Sequence, residues 1–313
     1  MTHSRIAACF GCDENFFPLA KGLVLSLERE AAIGFDLVFI DGGISDGSRE
    51  WLVSRGAHIV AFDPAAHIPG YIPNTRIEYI AAQICRPYLP VIAPDYDVYV
   101  WFDSDMWLQH AATLRSFIAA ASCGAGKIAI ARTDAWVHGM TDEQAETFRQ
   151  YSYSWYTSLY GSAVAGSYWG KNILNSGLFA LSRTSIVWRA WRREIELVFS
   201  GEDRMARMDA AHSHMAEQTA LNYVCHSRDC FVEFSSFHNF NCHLGGVERF
   251  QGIVRRIGDD SNRIGVVHLT NFGRLATSYL ARELLFDGGS YLSDAERKAV
   301  KDIPIAFGAP MER

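Results

Sequence analysis

The chain has 313 residues, of which 49% are hydrophobic and 20% are charged. This is the composition of an ordinary globular protein, long enough to bury a substantial core in one large α/β domain or two smaller ones. The formal net charge is -6 and no long basic run occurs, which argues against nucleic acid as a partner.

The sequence carries no obvious targeting signal. No apolar stretch approaches the roughly 20 residues that cross a bilayer, and residues 1–10 lead into a strand pattern rather than a signal peptide. We therefore expect a soluble, cytoplasmic protein without a transmembrane segment, and peripheral contact with a membrane is left open. Seven scattered cysteines favour reduced, buried thiols, with a structural zinc site near Cys9 and Cys12 or around residues 225–243 as a minor alternative.

Strand and helix patterns alternate in the first part of the chain. Apolar strands are predicted at 6–10, 35–40 and 57–62, with helices at 18–30 and 48–54. This alternation predicts an α/β fold built on a doubly wound, mostly parallel sheet flanked by helices. Right-handed crossovers then place the ends of the parallel strands on one shared edge.

The most informative stretch is YDVYVWFDSDMWLQH, which follows a proline-rich loop at 64–73 and a predicted helix at 76–89. Residues 98–102 form a β-branched and aromatic run, the pattern of a strand buried on both faces. Asp103 and Asp105 follow at once, where open α/β sheets bind ligands. The pair could hold Mg²⁺ or Mn²⁺ against a diphosphate, or could simply end the strand in a solvated turn.

The middle of the chain changes in composition. After a helix at 113–121 and a strand at 127–131, residues 136–170 interleave tyrosine and tryptophan with serine and glycine. This segment is either a helix pair packed by aromatic residues or a binding wall for a sugar-like ligand. We interpret it as an acceptor-side insertion in a single domain, 1–313, which ends in a helical tail at 275–313. Gly177, within the strand that follows, indicates a bulge or a close backbone approach.

Two polar features mark the last third. Glu217 and Gln218 lie on a predicted helix at 212–225, after an amphipathic helix whose arginines form a solvated face. An aromatic, strand-like segment is predicted at 231–240. His268 ends a short apolar strand at 264–267, and its neutral imidazole could complete a metal's ligands if that strand lies beside the acidic one.

Five motifs, taken in chain order, resemble those of nucleotide-sugar glycosyltransferases with the GT-A fold, most closely glycosyltransferase family eight. The similarity extends from Ile6 to about Arg274. The first motif is GCDENF, which is similar to the family's loop that holds the nucleoside. The resemblance implies that Asp13 and Asn15 contact the base or ribose and that Phe16 stacks on the base.

Three further motifs concern the donor sugar. Arg86 stands where the family has an arginine that reaches the donor near its phosphates and sugar. Asn175 and Gly177, in ILNSGLFALS, resemble the strand that lines this sugar. Glu217 and Gln218 look like the acidic residue and glutamine beside the anomeric carbon.

The last motif concerns the metal and the phosphates. The resemblance implies that Asp103, Asp105 and His268 bind Mn²⁺ or Mg²⁺ and that Ser104 contacts the donor. After the histidine the family continues to glycine and then Lys-Pro-Trp, whereas this chain reads HLTNFGRLA. Arg274 replaces the lysine and can pair with a phosphate through its planar fork.

The resemblance implies a metal-dependent enzyme that moves a hexose from a nucleotide-diphosphate sugar to a glycan or other hydroxyl acceptor. The expected donor is a uridine diphosphate sugar. With retention of configuration, Gln218 lies by the anomeric carbon, Glu217 binds sugar hydroxyls and Arg86 supplies positive charge. With inversion, Glu217 becomes the general base. A sugar nucleotidyltransferase, a non-catalytic carbohydrate-binding protein and, less favoured, a haloacid dehalogenase-type phosphatase are the alternatives.

Overall fold

The computed structural model describes residues 4–269, apart from residues 30, 74–79, 125, 243, 245–246, 251–252, 259–260 and 262. Arg274 and the predicted tail at 275–313 lie outside the described residues. No helix in the described part is both long and apolar enough to cross a membrane.

Each strand predicted from the sequence has an observed counterpart, in the same order. The observed strands are β1 (Ile6–Cys12), β2 (Asp36–Asp41), β3 (His58–Ala61), β4 (Val98–Phe102), β5 (Met106–Leu108), β6 (Ile128–Thr133), β7 (Ile173–Ser182), β8 (Phe231–Phe234), β9 (Phe240–Asn241), β10 (Val247–Phe250), β11 (Ile253–Arg256) and β12 (Val266–His268). Of these, β5, β10 and β11 were not predicted.

The helices are α1 (Phe17–Glu28), α2 (Asp46–Val53), α3 (Pro64–His67), α4 (Ile80–Ile84), α5 (Leu89–Ile92), α6 (Ala111–Cys123), α7 (Ala135–His138), α8 (Asp142–Tyr160), α9 (Ser162–Tyr168), α10 (Ile186–Phe199), α11 (Glu202–Arg207) and α12 (Ala210–Arg228). Short 3₁₀ turns lie at Ala31–Ile33, Arg86–Tyr88 and Ser236–His238.

The main sheet has seven strands in the order β3-β2-β1-β4-β7-β6-β8 among the described residues. β1, β2, β3 and β4 pair in parallel, as do β6 and β8, whereas β7 runs antiparallel to both of its neighbours. The predicted mostly parallel sheet is therefore confirmed. The strands β5, β12 and β9 form a second, smaller sheet, and β10 pairs with β11.

Alternation along the strands divides the core into two layers, one on each face of the main sheet. Tyr99 and Trp101 of β4 belong to the layer that contains α10 and α12, whereas Val100 and Phe102 belong to the layer that contains α1 and α6. All five residues of β4 are buried, as its apolar run predicted. Such burial holds the end of β4 rigidly.

Three predicted elements differ from those observed. The helix expected at 76–89 is, in its described part, a series of short pieces, because Pro87 and Pro90 remove backbone donors and clash with the preceding turn. The loop expected at 64–73 contains α3, which Asp63 caps by accepting a hydrogen bond from the Ala65 N–H at 3.0 Å. The segment at 231–240 is broken by the 3₁₀ turn Ser236–His238, where Ser235 is the cap.

The aromatic segment forms helices, so the helix-pair interpretation is confirmed and the binding wall stays a prediction. α8 begins with a capping box between Thr141 and Gln144. It packs on α9 through aromatic pairs, among them Tyr156 with Tyr168 at 4.8 Å between ring centroids. Gly161 separates the two helices at φ 87°, a backbone conformation that glycine adopts without strain.

Candidate metal and donor site

The two aspartates lie in the turn that joins β4 to β5, at the carboxyl edge of the parallel strands. The Asp103 N–H donates to the Gly177 carbonyl at 2.8 Å, which ties this turn to β7. The Asp105 carbonyl accepts from the Leu269 N–H at 3.0 Å, which ties it to the end of β12. Both backbone contacts hold the carboxylates in place.

His268 reaches the carboxylates through the small sheet. Its strand, β12, does not pair with β4; it pairs antiparallel with β5, so that His268 lies opposite Met106. The sequence analysis required the strand of His268 to lie beside the strand that precedes the aspartates. Instead, β12 lies beside β5, the strand that follows the turn at Asp103 and Asp105. On its other side β12 pairs with β9, which places Asn241 opposite His268.

The geometry of the three side chains suits a divalent cation. The His268 Nε2 lies 3.4 Å from Asp105 Oδ1 and 3.7 Å from Asp103 Oδ2, and one ligand atom from each residue falls within 4.8 Å of the others. The His268 Nδ1 donates to Asn239 Oδ1 at 3.0 Å. In the neutral imidazole the Nε2 lone pair then faces the carboxylates, an arrangement that a cation would stabilise.

The donor set decides which cations fit. Two carboxylates and an imidazole suit Mn²⁺ or Mg²⁺ better than a soft metal. Within the described residues this is the single group of at least three such side chains, and no cysteine belongs to it. The seven cysteines form no disulfide, and none of them lies in a group of possible metal ligands among the described residues, so the minor zinc alternative gains no support there.

Gly177 lies against this cluster. A Cβ built on it would stand 2.7 Å from both Asp103 Oδ2 and His268 Cε1, and 2.9 Å from Asn175 Oδ1. The register between β6 and β7 shifts at Ile130, which leaves Gly177 in an irregular part of β7. Both the bulge and the close approach predicted for this glycine are confirmed.

Arg86 connects the group formed by Asp103, Asp105 and His268 with helix α12. Its Nη2 donates to Asp103 Oδ1 at 2.5 Å, and its Nη1 donates to Glu217 Oε2 at 2.5 Å and to Ser176 Oγ at 2.8 Å. The guanidinium also lies 5.0 Å from the centroid of the Trp101 ring. Burial lowers the pKa of Arg86, but the two carboxylates outweigh burial and raise it, so the side chain stays charged.

The carboxylates paired with Arg86 differ in their protonation. Burial raises the pKa of Asp103, but Arg86 and His268 outweigh it, and the net direction is downward. Burial dominates for Glu217, which is 1% exposed, and raises its pKa to about 7 against the opposing effects of Arg86 and Ser176. Asp103 is therefore ionised at neutral pH, whereas both the protonated and the ionised form of Glu217 are populated there.

Gln218 and Asn175 hold the irregular part of β7. The Ser176 N–H donates to Gln218 Oε1 at 3.0 Å, and Asn175 Oδ1 accepts from the Gly177 N–H at 2.8 Å. Asn175 Nδ2 also donates to Asn241 Oδ1 at 3.3 Å. Ser176, between the predicted sugar-lining residues Asn175 and Gly177, thus links this strand to the predicted pair on α12, because Glu217 Oε2 also accepts from its Oγ at 2.9 Å.

The predicted nucleoside loop lies at the end of β1. Asp13 Oδ1 accepts from the Phe16 N–H at 3.0 Å and closes a tight turn, while Asn15 is exposed. The Phe16 ring is partly buried against the core layers, so its surface is shared between packing and any stacking on a base. Ser104 Oγ donates to the Gly11 carbonyl at 2.9 Å, which fastens this loop to the aspartate turn.

Several residues of the site were missed by the sequence analysis. Asn239 orients His268, and Asn222 binds both backbone polar groups of Leu174 at the start of β7. The signal for Asn222 was its spacing of four residues from Gln218, which places both on one face of α12. Nothing in the local sequence signalled Asn239, because its contact with His268 spans 29 residues.

His214 is the other missed residue. It lies on α12 one turn before Glu217, and its Nδ1 is 3.1 Å from Gln83 Nε2. Gln83 precedes Arg86 by three residues, so two contacts, Gln83 with His214 and Arg86 with Glu217, link the same two segments. Burial, with Arg86 adding to it, lowers the pKa of His214 to about 4 despite the opposing aspartates, so its imidazole is neutral.

Solved structures of glycosyltransferases share this architecture. The galactosyltransferase LgtC in complex with donor and acceptor sugar analogues superimposes with a TM-score of 0.54 at 14% identity, over 94% of this chain and 99% of that one. The chain has the GT-A fold. A structure of an active-site mutant of LgtC gives the same TM-score, identity and coverage. No family model matches the sequence, and no curated protein matches it.

Proposed function

We propose that this protein is a metal-dependent glycosyltransferase that moves a hexose from a nucleotide-diphosphate sugar, with a uridine diphosphate sugar as the first candidate, to the hydroxyl group of a glycan or other acceptor. The observation that carries the proposal is the meeting of Asp103, Asp105 and His268 beside Arg86, at the carboxyl edge of a GT-A sheet. In LgtC, a protein of this fold, the solved complex contains donor and acceptor sugar analogues.

Asp103, Asp105 and His268 would hold the cation, Mn²⁺ or Mg²⁺. Bound there, it would act as a Lewis acid that stabilises the charge developing on the leaving diphosphate. Arg86 supplies a fixed positive charge at the same place without reorganisation during the reaction. Arg274, outside the described residues, remains a predicted phosphate contact.

Asn175, Gly177 and Gln218 would line the donor sugar. Gly177 has no side chain to cover the backbone of β7 beside Asp103, so a ligand would be able to approach the backbone closely there. Glu217 is held by Arg86 and Ser176 and is 1% exposed, which favours a role in fixing Arg86 over one as a general base for the acceptor. This placement supports transfer with retention of configuration, with Gln218 beside the anomeric carbon. Asp13, Asn15 and Phe16 would hold the nucleoside, and Ser104 would place their loop.

The acceptor would approach from the side of α8 and α9. A narrow cleft between these helices is lined by aromatic rings and extends to Ile173, the first residue of β7. Trp169 is 46% exposed there and lies 5.6 Å from Tyr153 in an edge-to-face contact. An exposed indole offers the flat apolar face that sugars bind.

The proposal is tested by following a uridine diphosphate hexose with and without Mn²⁺. We expect metal-stimulated release of uridine diphosphate, increased by a hydroxyl acceptor, and a loss of at least about 100-fold in the Asp105→Asn variant. Asp95→Asn, which changes an exposed aspartate in the turn that precedes β4, is the matched control and should react as the unmodified protein does.

The alternatives give different results in the same assay. A nucleotidyltransferase would release pyrophosphate from a nucleoside triphosphate and a sugar phosphate, and a carbohydrate-binding protein would leave every donor intact. Equal turnover in the presence of chelator, or in Asp105→Asn, would refute the metal role.

A further inference from the structure

The outer face of α10 combines cations with exposed apolar side chains. Ile186, Arg189, Arg193 and Leu197 recur at spacings of three and four residues, so they share the face that is turned away from the buried Trp191. Ile186 is 59% exposed and Leu197 is 43% exposed. The apolar residues therefore stand at the two ends of this face, with two arginines between them.

A groove of about 540 Å³ runs beside this face, between α10 and the turn that leads into α5. Arg192 lies 6.0 Å from the centroid of the Tyr88 ring on its floor, and Val91 at its rim is 48% exposed. The lining residues are Tyr88, Val91, Arg189, Arg192, Arg193 and Glu196.

The described residues leave the groove with an excess of positive charge. None of the ion pairs between described residues involves Arg189, Arg192 or Arg193. Glu196 is the one acidic residue of the lining, and it faces the Tyr88 hydroxyl at 3.5 Å. Three cations against one carboxylate form a positive surface on a chain whose net charge is -6.

A solvated arginine face alone would need no explanation, and neither would one exposed apolar residue. The combination is different, because exposed aliphatic side chains at both ends of a cationic helix face match the two parts of a lipid interface. Phosphate groups pair with guanidinium forks, while aliphatic side chains enter the boundary between headgroups and acyl chains.

We propose that the outer face of α10, with the adjoining groove, docks on the surface of a bilayer that contains anionic phospholipids. Arg189, Arg192 and Arg193 bind lipid phosphates, and Ile186, Leu197 and Val91 enter the interface. This docking does not depend on the proposed transfer reaction, because no residue of the metal and donor site takes part in it.

The test is sedimentation of the full-length protein with vesicles of phosphatidylcholine, with and without phosphatidylglycerol, at low and high salt. We expect binding to the anionic vesicles that weakens at high salt. The double variant Arg189→Glu/Arg193→Glu should lower the partition coefficient at least about tenfold. The double variant Ile186→Ser/Leu197→Ser should also lower it, without any change of charge.

The matched control is Arg29→Glu/Arg115→Glu, which makes the same change in net charge just after α1 and on α6, two helices packed on the opposite face of the sheet. It should keep most of the vesicle binding. Circular dichroism melting shows which variants fold, and the serine pair decides the question if the glutamate pair does not fold.

Several results would overturn the proposal. These are no binding to anionic vesicles, equal binding to neutral vesicles, equal loss in the control, and unchanged binding in both α10 variants. Binding of a soluble sulfated polysaccharide without binding of vesicles would also overturn it and would indicate an acidic glycan as the partner.

Discussion

Arg86 is buried between two carboxylates, and its planar guanidinium serves both of them and Ser176. A lysine at this position could offer one ammonium group and not a fork of donors in fixed directions. We expect Arg86→Lys to lower the transfer rate by about 100-fold, because Asp103 would lose its fixed position. Comparison of its kcat with that of Arg115→Lys, an exposed control on α6, checks this; equal rates would contradict it.

His214 should make stability depend on pH. Its folded pKa, about 4, lies below the usual 6.5, so the unfolded chain binds more protons between these values. The stabilisation is present above about pH 6.5 and is lost as the pH falls towards 4. Since each pKa unit is worth about 1.4 kcal/mol and the ring keeps partial contact with water, we expect about 2 kcal/mol.

Urea unfolding of the metal-free protein between pH 4 and 7 measures this effect. His214→Asn keeps an acceptor near Gln83 but does not titrate, so it should lose less stability on acidification than the unmodified protein does. His58→Asn, which changes an exposed histidine, should behave as the unmodified protein does. Parallel curves for all three proteins would contradict the assignment of the neutral imidazole.

At the scale of elements, β7 carries the glycine that lies directly against two of the proposed cation ligands. Gly177→Ala would place a methyl group 2.7 Å from Asp103 Oδ2, and Asp103 cannot yield easily because Arg86 holds its other oxygen. We expect affinity for Mn²⁺ to fall at least about tenfold, the size of effect seen when the partners of metal ligands are altered.

Titration followed by the electron paramagnetic resonance of free Mn²⁺ measures this affinity. Gly166→Ala is the matched control, because its added Cβ would meet nothing within 4 Å and alanine suits the helix α9. Wild-type affinity in Gly177→Ala would show that the cation does not bind beside this strand.

The sequence predicted elements well where local physics decides them. The strand β4 was predicted because burial on both faces leaves a continuous apolar run. The helix α10 was predicted because burial on one face leaves apolar residues at spacings of three and four. The direction of β7 could not be predicted, since an antiparallel strand buried on both faces has the same pattern as a parallel one. The position of His268 in the second sheet could not be predicted either, because the pairing between β12 and β5 joins residues more than 150 positions apart.

At the scale of the whole molecule, the site joins parts of the chain that are far apart in sequence. Arg86, Asp103, Ser176, Glu217 and His268 come from five separate segments of the chain and meet only in the folded state. A cation bound by such residues binds the native state in preference to the unfolded chain, and so stabilises the fold by mass action.

We therefore expect Mn²⁺ alone to raise the melting temperature by a few degrees when it is present at about 100 times its Kd, where the stabilisation is about 2.7 kcal/mol. Differential scanning calorimetry measures this shift. His268→Ala should abolish most of it, whereas His58→Ala should keep it. A full shift in His268→Ala would remove the histidine from the ligand set.

The reversed direction of β7 has a consequence for how this architecture can diversify. Because the first half of this strand lies beside Asp103, the segment that precedes it, α8 and α9, enters the sheet at the edge that carries the candidate metal site. The segment of α8 and α9 can be lengthened, shortened or exchanged while α12 holds β7 in place through Leu174 and Ser176. Under the proposed function, replacement of this one contiguous segment would change the acceptor preference and leave the proposed donor-binding residues unchanged.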